Sequence, residues 1–361
     1  MSANNPSISI LIPNYNKAPF LPQTLNSILN QTFSNWECII VDDQSTDDSV
    51  FIIKKFAEKD SRIKLFERPN DVAKGGNVCR NIALHKANGE HVVFFDSDDW
   101  FASDALQERF SLVSNKGFDF VANQGVFWNG QDKTALLIAS PNQRKALDCF
   151  FDFQPIWLSQ SLTIRREFLL QQNIQWNENV PFYQDVLFNI DLLLHTESYC
   201  FSEKIDWVWR KSDQQTLGNK AMKVNTYAEN KALADSLFDL SIRYHKDNGL
   251  WFKQYCVQRF YDLLIGNTAS SLNKGLLAYG DAIVCKLQLN YLHSTIVKMV
   301  ARIGLWSYRM NISLGQSIFF RIWKKSWMSK INHSKSNHFL TESIDLIDHA
   351  LPIYKTIKQA T

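Results

Sequence analysis

The stretch that decides the fold of this chain reads His91-Val92-Val93-Phe94-Phe95-Asp96-Ser97-Asp98-Asp99-Trp100. The apolar residues after His91 predict a buried strand, and this strand ends abruptly in acidic side chains. Burial of carboxylates that lack partners is strongly unfavourable. We therefore expect Asp96, Asp98 and Asp99 to be exposed at the carboxyl end of a strand, which is where open α/β sheets bind ligands.

Asp96 and Asp98 are separated by one residue and can converge on one hard cation. Mg²⁺ and Mn²⁺ take oxygen ligands and usually share them with substrate phosphates. A plainer interpretation is a solvated acidic turn, in which Ser97 or Asp99 caps the following helix. The short motif alone does not decide between a cation site and such a turn.

A second strand also ends in acids, and this favours a ligand site. Residues 36–41 predict a strand that runs into Asp42 and Asp43, and residues 7–12 predict a strand that stops at Pro13. Helices are predicted from 20 to 31 and from 50 to 58, the latter capped by Ser45 or Thr46. Strands that alternate with helices in this way predict a parallel sheet with right-handed crossovers.

Six short segments follow one another along the chain in a recognisable order. They are Ile12–Asn16, Val41–Asp47, Gly75–Asn81, Asp96–Asp99, Gln184–Phe188 and Trp209–Arg210. In this order they resemble the motifs of family 2 glycosyltransferases of the GT-A fold. The resemblance implies an α/β class with a Rossmann-like, mostly parallel sheet flanked by helices over residues 1–220. Within it, the donor half is about 1–123 and the acceptor half about 124–220, and residues 221–361 are predicted to be a helical C-terminal region.

The resemblance implies a binding site for a nucleotide with a uracil base. Asp42 or Asp43, of which we favour Asp43, would accept the N3–H of the base, and the main chain around Pro13 and Tyr15 would pack against it. Arg80 would meet anionic or carbonyl oxygens of the nucleotide. The simpler alternatives are acids that only stabilise a helix N-terminus and a solvated helix arginine.

The same resemblance implies where the diphosphate lies. Asp98 would bind Mn²⁺ or Mg²⁺, and Asp96 would contact the ribose and the surroundings of the ion. The ion would neutralise the leaving diphosphate as a Lewis acid. Arg210 would border the diphosphate or the acceptor, although Trp207 to Arg210 also fits a short amphipathic strand with a basic end.

Gln184 and Asp185 open a segment with the apolar spacing of an amphipathic helix. Asp185 lies in the first turn, where the helix dipole favours an ionised carboxylate at neutral pH. The resemblance implies that Asp185 is the general base, which takes the proton of an acceptor hydroxyl. Family members usually carry Glu where this chain has Gln184. The alternative is that Asp185 only stabilises the helix N-terminus.

Composition sets the broad class. The chain has 361 residues, with 25 Phe, 11 Trp and 11 Tyr, enough for a large domain with a sizeable core. The six cysteines form no C-x-x-C pair, which predicts buried thiols in a reducing cytosol. Residues 1–6 lack a basic start and an apolar core, so no export is predicted. No apolar run of 18 residues occurs, so the sequence predicts no simple membrane-spanning helix.

One segment has an unusual charge distribution. Residues 282–341 contain no Asp or Glu but nine Lys and Arg residues, interleaved with aromatic residues. This pattern fits a helix that lies on an anionic membrane surface, which predicts a cytoplasmic protein peripheral to the membrane. The alternative is a helical domain with a cationic outer face. No nucleic-acid reader motif accompanies the segment, and no nucleic-acid partner is predicted.

The leading hypothesis is a metal-dependent, inverting glycosyltransferase. It would use a UDP-sugar donor and a hydroxyl of a glycan or lipid-linked acceptor in cell-surface polysaccharide synthesis. The first alternative is a sugar-phosphate nucleotidyltransferase, whose glycine-rich N-terminal loop is missing where Pro13–Lys17 stands. The second is a non-catalytic scaffold that binds a membrane or another glycosyltransferase.

Overall fold

The structure is a computed structural model that describes residues 5–128, 136–138, 145–151, 155–210 and 227–245. These residues fall into two units, one of 5–178 with 184–210 and one of 179–183 with 227–245. Most of the predicted helical C-terminal region 221–361, including the basic segment 282–341, lies outside the described residues.

A sheet of nine strands organises the first unit. The strands are β1 (Ile8–Asn14), β2 (Trp36–Asp42), β3 (Ile63–Glu67), β4 (His91–Phe94), β5 (Trp100–Phe101), β6 (Phe120–Trp128), β7 (Leu136–Ile138), β8 (Leu162–Arg165) and β9 (Tyr199–Arg210). Their spatial order is β3-β2-β1-β4-β8-β6-β9-β5, and β7 pairs with β6.

The sheet has a parallel half and a mixed half. β3, β2, β1 and β4 pair in parallel, as the alternation of strands and helices predicts. Beyond β4 the directions mix, because β8 runs antiparallel to both β4 and β6, and β5 runs antiparallel to β9. β6 and β9 are parallel to one another. The predicted α/β class is confirmed, whereas the parallel arrangement is limited to the first half and to the β6–β9 pair.

Helices of the first unit connect and cover these strands. They are α1 (Leu21–Leu29), α2 (Ser49–Lys59), α3 (Gly76–Lys86), α4 (Ala105–Lys116), α5 (Ala146–Phe151), α6 (Arg166–Gln171) and α7 (Gln184–His195). The second unit contains α8 (Tyr227–His245). The predicted first two helices and the amphipathic helix at Gln184 are confirmed. The predicted cap of α2 is wrong: its N-cap is Asp48, and Ser45 bonds instead to Asp42.

The core forms where the strands are covered on both faces. Every residue of β2 is buried, as is nearly every residue of β1, which is typical of the centre of a sheet flanked by helices. The inner face of α1 packs onto these strands through Leu21, Leu25 and Ile28. The core therefore fixes the positions of the strand ends from which the candidate site is built.

The described cysteines match the prediction of buried thiols. Cys38, Cys79 and Cys149 are buried, and Cys200 is partly buried. Burial raises the pKa of Cys79 to about 12, with a further contribution from the charge of Asp43, so this thiol is unreactive at neutral pH. The other two cysteines lie outside the described residues.

A buried ion pair anchors β9 to α4. Both guanidinium nitrogens Nε and Nη2 of Arg109 donate to Asp206, at 2.7 and 2.9 Å, and both side chains are fully buried. The backbone carbonyl of Asp206 also accepts the amide of Ala102, at 2.8 Å. The pairing of β6 with β9 contains register irregularities. The Arg109–Asp206 ion pair therefore helps to fix the register of β9.

A second buried carboxylate ties together the amino-terminal edge of the sheet. Glu37 accepts hydrogen bonds from the Ser9 hydroxyl at 2.6 Å, the Asn88 amide at 2.7 Å and the Lys64 ammonium at 2.8 Å. Burial acts to raise the pKa of Glu37, but these hydrogen-bond donors together hold its pKa below the ordinary value. Ionised Glu37 therefore contributes to stability.

This arrangement predicts acid sensitivity. The contribution of Glu37 is complete above the unfolded pKa and is lost as pH falls through the lowered pKa of the folded state. We expect the free energy of unfolding, measured by urea denaturation between about pH 3 and 6, to fall more steeply for wild type than for Glu37→Gln. Glu108→Gln, which alters an exposed pair with Lys204, is the control and should follow wild type. Equal slopes for wild type and Glu37→Gln would contradict the assignment.

Candidate active site

The carboxyl ends of β1 and β2 carry two loops that are joined by side-chain hydrogen bonds. The amide oxygen of Asn16 accepts the Thr46 backbone N–H at 2.7 Å, and the Ser45 hydroxyl accepts the Asn16 backbone N–H at 2.9 Å. Asn16 and Gln44 adopt left-handed backbone conformations, with φ of 50° and 61°. Non-glycine residues in this conformation cluster at functional loops, because the surrounding structure must enforce them.

Asp42 is a structural part of this loop pair. Its side chain is fully buried, and it accepts hydrogen bonds from the Ser45 amide at 2.7 Å, the Ser45 hydroxyl at 2.6 Å and the Asn14 side-chain amide at 2.7 Å. Both carboxylate oxygens are therefore engaged by the protein. Of the two acids proposed from the sequence to meet the base, the geometry leaves Asp43.

Asp43, the residue after Asp42, forms an ion pair with Arg68. The Arg68 Nε donates to Asp43 Oδ1 at 2.5 Å, and both side chains are largely buried. Arg68 is held in turn by the carbonyls of Pro69 and Val72. Within the part of the chain that the structure describes, Oδ2 of Asp43 has no hydrogen-bond donor, so it can accept one from a ligand.

The other residues predicted to surround a base lie at the end of β1. Pro13 is partly buried within the strand, and Tyr15 just after it is 40% exposed. The Lys74 ammonium lies 3.7 Å from the centre of the Tyr15 ring. The ammonium covers one face of the ring, and the opposite face can stack against a planar base.

Arg80 links the strand ends to the helix that carries Asp185. Its Nη2 donates to Asp96 Oδ1 at 2.7 Å, and its Nη1 makes a long contact of 3.5 Å with the Gln184 side chain. The guanidinium lies 4.6 Å from the centre of the Trp176 ring. Arg80 is only 12% exposed, so it is not the solvated helix residue of the simpler alternative.

The start of α3 requires glycine for this placement. Gly75 has φ of +151°, a conformation that other residues rarely adopt, and a Cβ on Gly76 would lie 3.2 Å from the Arg80 guanidinium. These two positions explain why the sequence carries a glycine pair before the helix. The pair lets Arg80 fold back over the helix N-terminus toward Asp96.

A ring stack supports Arg80 from below. Trp176 stacks on Phe188 of α7 at 4.4 Å between ring centres, and Phe94 of β4 contacts Trp176 edge-on at 5.2 Å. Asn81 holds Trp176 in place by exchanging two hydrogen bonds of 2.9 Å with its backbone. Arg80 is thus part of the site, and the adjacent Asn81 holds the Trp176 ring that supports it.

The three acids after β4 are less exposed than the sequence predicts. The side chain of Asp96 is 33% exposed, that of Asp98 is 16% exposed, and Asp99 is fully buried. The prediction of exposed acids is wrong because each of them has a polar or cationic partner from a distant part of the chain. Such partners remove the penalty on which the prediction rested.

Asp99 connects the acidic turn to β8 and β9. It accepts the Arg210 backbone N–H at 3.0 Å and the Gln160 side-chain amide at 3.2 Å. Burial, reinforced by the charges of Asp98 and Asp96, raises the pKa of Asp99 well above its ordinary value. Asp99 therefore holds the turn in place from the interior and does not face a ligand.

Arg210 is fixed against the same turn at the end of β9. Its Nε donates to the Asp98 backbone carbonyl at 2.9 Å, and its Nη2 donates to the Gln23 side chain. The guanidinium lies 4.5 Å from the centre of the Trp100 ring. The sequence predicted a strand here as the alternative to a site residue, and the structure shows that Arg210 is both in a strand and beside the acidic turn.

Asp98 forms an ion pair that the sequence did not predict. The Lys17 ammonium donates to Asp98 Oδ2 at 2.5 Å. Burial raises the pKa of Asp98 despite the opposing charge of Lys17. On the other side, Asp96 is held by Arg80 and by the Gln160 side-chain amide, at 2.7 Å in each case.

These carboxylates fit a divalent cation only if a ligand contributes to the coordination. Within the described residues, no group of three or more His, Cys, Asp or Glu side chains is placed to hold a metal ion. Mg²⁺ and Mn²⁺ sites in phosphate-transfer proteins commonly use one or two carboxylates, and waters and substrate phosphates complete the shell. Asp98 and Asp96 suit such a shared site.

Asp185 lies in the first turn of α7 and is partly buried. Burial raises its pKa, although its own backbone amide and that of Val186 donate to the carboxylate and oppose the shift. The charges of Arg80 and Asp96 also act on it, so Asp185 is within electrostatic reach of both. The helix N-terminus supports the ionised form as predicted, and burial makes it a stronger base than an exposed aspartate.

Several residues of the site were not predicted from the sequence. They are Lys17, Gln23, Arg68, Gln160 and Trp176. Lys17 directly follows the recognised segment Ile12–Asn16, and this position is a signal that could have identified it. Gln160 lies two residues before β8, which none of the recognised segments marks.

None of the helices in the described residues combines the length and the apolar character needed to cross a bilayer.

Part of this chain is similar in sequence to known proteins. Residues 9–180 match the family model described as Glycosyl transferase family 2. An uncharacterized glycosyltransferase of Haemophilus influenzae is 44% identical over 110 residues, which are 30% of this chain and 43% of that protein. The Escherichia coli protein UDP-Glc:alpha-D-GlcNAc-diphosphoundecaprenol beta-1,3-glucosyltransferase WfgD is 37% identical over 114 residues, 32% of this chain and 44% of that protein. The aligned part spans about half the length of these curated relatives.

A solved structure extends the comparison to the fold. The crystal structure of S. aureus TarS 1-349 in complex with UDP-GlcNAc has a TM-score of 0.61 with 20% sequence identity. The match covers 84% of this chain and 92% of that chain. At this identity the likeness concerns the fold alone, and the predicted GT-A architecture is confirmed.

Proposed function

We propose that this protein transfers a sugar from a nucleotide diphosphate sugar to an acceptor hydroxyl with inversion, because residues 9–180 match the family model of glycosyl transferase family 2. One observation carries the proposal. Asp185, a partly buried carboxylate at a helix N-terminus, lies within electrostatic reach of the Arg80–Asp96 pair at the carboxyl edge of the sheet. A base beside a cation-lined phosphate site is what direct displacement at an anomeric carbon requires.

The donor is proposed to be a UDP-sugar. Asp43 offers an open carboxylate oxygen after the end of β2, and the exposed Tyr15 ring follows the end of the neighbouring strand β1. These groups suit the N3–H and the face of a uracil base. The name of the E. coli relative specifies UDP-Glc as its donor, which supports the same choice here. Arg80 is proposed to contact nucleotide oxygens through the edge that it does not use for Asp96.

The acceptor is proposed to be a glycan or a lipid-linked glycan of the cell surface. The E. coli relative is named for a GlcNAc-diphosphoundecaprenol acceptor, which is a sugar carried on a lipid diphosphate. Such an acceptor suits a protein bound to the cytoplasmic face of a membrane through the basic segment 282–341. Membrane association and localisation stay predictions.

In the proposed mechanism, Asp185 takes the proton of the acceptor hydroxyl as its oxygen bonds to the anomeric carbon. The bond from that carbon to the diphosphate oxygen breaks, and its electron pair leaves with UDP. Arg80 keeps Asp96 oriented, while Asp99 and Arg210 keep the acidic turn rigid. A divalent cation at Asp98 and Asp96, when bound, neutralises charge that develops on the leaving diphosphate.

Donor recognition tests the proposal most directly. We expect the full-length protein to bind UDP in the presence of Mn²⁺ by isothermal titration calorimetry, and Asp43→Asn to weaken that binding about tenfold or more. The substitution removes a charged hydrogen-bond acceptor from ground state and transition state alike. The donor KM should therefore rise with kcat little changed.

The matched control is Asp60→Asn, which alters another Asp–Arg pair, with Arg62, at the far end of α2. It should bind UDP as wild type does. Thermal unfolding of both variants separates a loss of contact from a loss of fold. Unchanged UDP affinity in Asp43→Asn would exclude the base-recognition role, and release of pyrophosphate from a nucleoside triphosphate and a sugar phosphate would favour a nucleotidyltransferase instead.

A further inference from the structure

Lys17 forms an ion pair with Asp98, the carboxylate that the proposed cation needs. Its ammonium is 2.5 Å from Asp98 Oδ2, and the two side chains are only 20% and 16% exposed. An ion pair in such a partly dry position interacts more strongly than the same pair in water, and removal of either partner leaves an unfavourable charge. A cation that binds Asp98 must therefore displace Lys17.

The other acids of the turn also have partners. Asp96 forms an ion pair with Arg80, and Asp99 accepts hydrogen bonds from the Arg210 backbone N–H and the Gln160 side-chain amide. In the absence of a ligand, each carboxylate of the acidic turn is therefore already paired or hydrogen-bonded. A divalent ion alone gains little there, because each acid that it approaches already has a cationic or hydrogen-bonding partner.

Lys17 differs from the two arginines in the number of contacts that hold its charged group. Arg80 and Arg210 each use two guanidinium nitrogens in polar contacts, and each guanidinium also lies near an aromatic ring. The backbone of Lys17 is anchored, since its amide donates to the Ser49 hydroxyl at 2.9 Å. Its ammonium has one hydrogen-bonded partner among the described residues, Asp98, and lies 5.6 Å from the centre of the Phe20 ring at the end of a flexible stem. A lysine of this kind can exchange one anionic partner for another without moving the main chain.

We propose that Lys17 is an exchangeable counter-ion: it neutralises Asp98 while the site is empty and turns to the donor diphosphate when a divalent cation takes Asp98. This inference rests on the proposed function, because the diphosphate is the anion that receives Lys17. Lys17 is thus a positioning residue whose exchange makes binding of the cation depend on binding of the nucleotide.

The consequence is a measurable coupling between two ligands. UDP offers Lys17 a new anionic partner, so UDP should increase the affinity for Mn²⁺, and Mn²⁺ should increase the affinity for UDP by the same factor. Removal of the lysine charge should release Asp98 in advance. Mn²⁺ should then bind more tightly without UDP, and the coupling should shrink to the part that direct coordination of the ion by the phosphates supplies.

Calorimetric titration of the full-length protein with Mn²⁺, with and without UDP, tests this directly. For Lys17→Met we expect the Kd of Mn²⁺ without UDP to fall about tenfold and the enhancement by UDP to shrink by a similar factor. Lys17→Arg keeps the positive charge and should keep the competition. Lys204→Met, which removes a surface lysine paired with Asp104, should match wild type.

Each outcome bears on the proposal. A Kd for Mn²⁺ that is unchanged or higher in Lys17→Met without UDP would overturn it. If Lys17→Met does not fold, as judged by thermal unfolding, Lys17→Gln replaces it, since glutamine keeps a hydrogen-bond donor to Asp98 without the charge. Failure of wild type to bind UDP would instead overturn the proposed function and the diphosphate half of this inference, while the titration with Mn²⁺ alone still decides the competition at Asp98.

Discussion

Replacement of Asp185 by asparagine is expected to slow sugar transfer by about 100-fold or more, within the ~10²–10⁴-fold range typical of general-base loss. The substitution preserves size, and the amide oxygen still accepts the backbone N–H groups at the start of α7. The amide cannot take the proton of an acceptor hydroxyl. Affinity for UDP and Mn²⁺ should survive, because their proposed contacts lie at the ends of β1, β2 and β4.

The matched control is Asp191→Asn, the same change on the same helix. It should retain near-normal kcat. A near-normal kcat for Asp185→Asn together with a large loss for Asp191→Asn would identify Asp191 as the base. Lost UDP affinity with normal kcat would place Asp185 in nucleotide binding instead.

The pH profile gives an independent measurement on Asp185. Burial raises its pKa, and only the deprotonated form can act as a base. The rate of wild type should therefore fall on the acidic side as pH decreases through that raised pKa. In Asp185→Asn this acidic limb should disappear from the residual activity. A persistent limb with the same midpoint would show that another group titrates.

Replacement of Arg109 by methionine is expected to lower the free energy of unfolding by about 3–5 kcal/mol, the usual loss when one partner of a buried ion pair is removed. Arg109 and Asp206 are both fully buried and share two hydrogen bonds. Burial already raises the pKa of Asp206, and Arg109 opposes that rise. Without Arg109, Asp206 must remain as an unpaired charge or take up a proton.

The loss of stability in Arg109→Met should also depend on pH. In Arg109→Met the pKa of Asp206 in the folded state should rise further above that of the unfolded state. The folded state then binds more protons, so the deficit in stability should grow as pH rises from acid to neutral and shrink as pH falls. Urea denaturation at several pH values measures it. A deficit that does not depend on pH would point to lost packing alone.

Two further variants complete this test. Arg109→Met combined with Asp206→Leu removes both charges and should recover much of the lost stability, because paired buried ions can often be replaced by apolar residues without loss. Lys204→Met, which affects an exposed pair, should change stability by less than about 1 kcal/mol. Failure of the double variant to recover would mean that the polar contacts of β9 themselves are required.

The Arg109–Asp206 pair also connects stability to the site. Asp206 lies on β9 four residues before Arg210, whose backbone amide holds Asp99. Close packing of the same strand is visible at Gly125 of β6, where a Cβ would lie 2.2 Å from the ring of Trp207. A variant that loosens β9 should therefore also perturb the acidic turn.

Local sequence patterns were sufficient for several elements and for the order of the motifs. The apolar run after His91 and the helix at Gln184 are both present as predicted. Short-range periodicity reports which face of an element is buried, and polar loops mark where it ends. The family resemblance then placed Asp43, Arg80, Asp96, Asp98 and Asp185 in one site by analogy.

What local pattern could not supply was the partner of each charged side chain. Lys17 precedes Asp98 by 81 residues, and the amide of Arg210 that holds Asp99 follows it by 111 residues. The exposure of an acid depends on whether a cation or hydrogen-bond donor meets it in the folded chain, and nothing in a short window reports that. For this reason the sequence predicted exposed acids where the structure has one that is fully buried.

By itself, therefore, the sequence determined strands β1, β2 and β4, helices α1, α2 and α7, and the residue types that end at the carboxyl edge of the sheet. These depend on contacts between near neighbours in the chain. Only the tertiary structure decided that Asp42 holds a loop, that Asp99 supports the turn from inside, and that Lys17 neutralises Asp98. These assignments depend on which distant side chains meet at the same place. In a low-dielectric site, that meeting decides whether a carboxylate is structural or is available to a ligand.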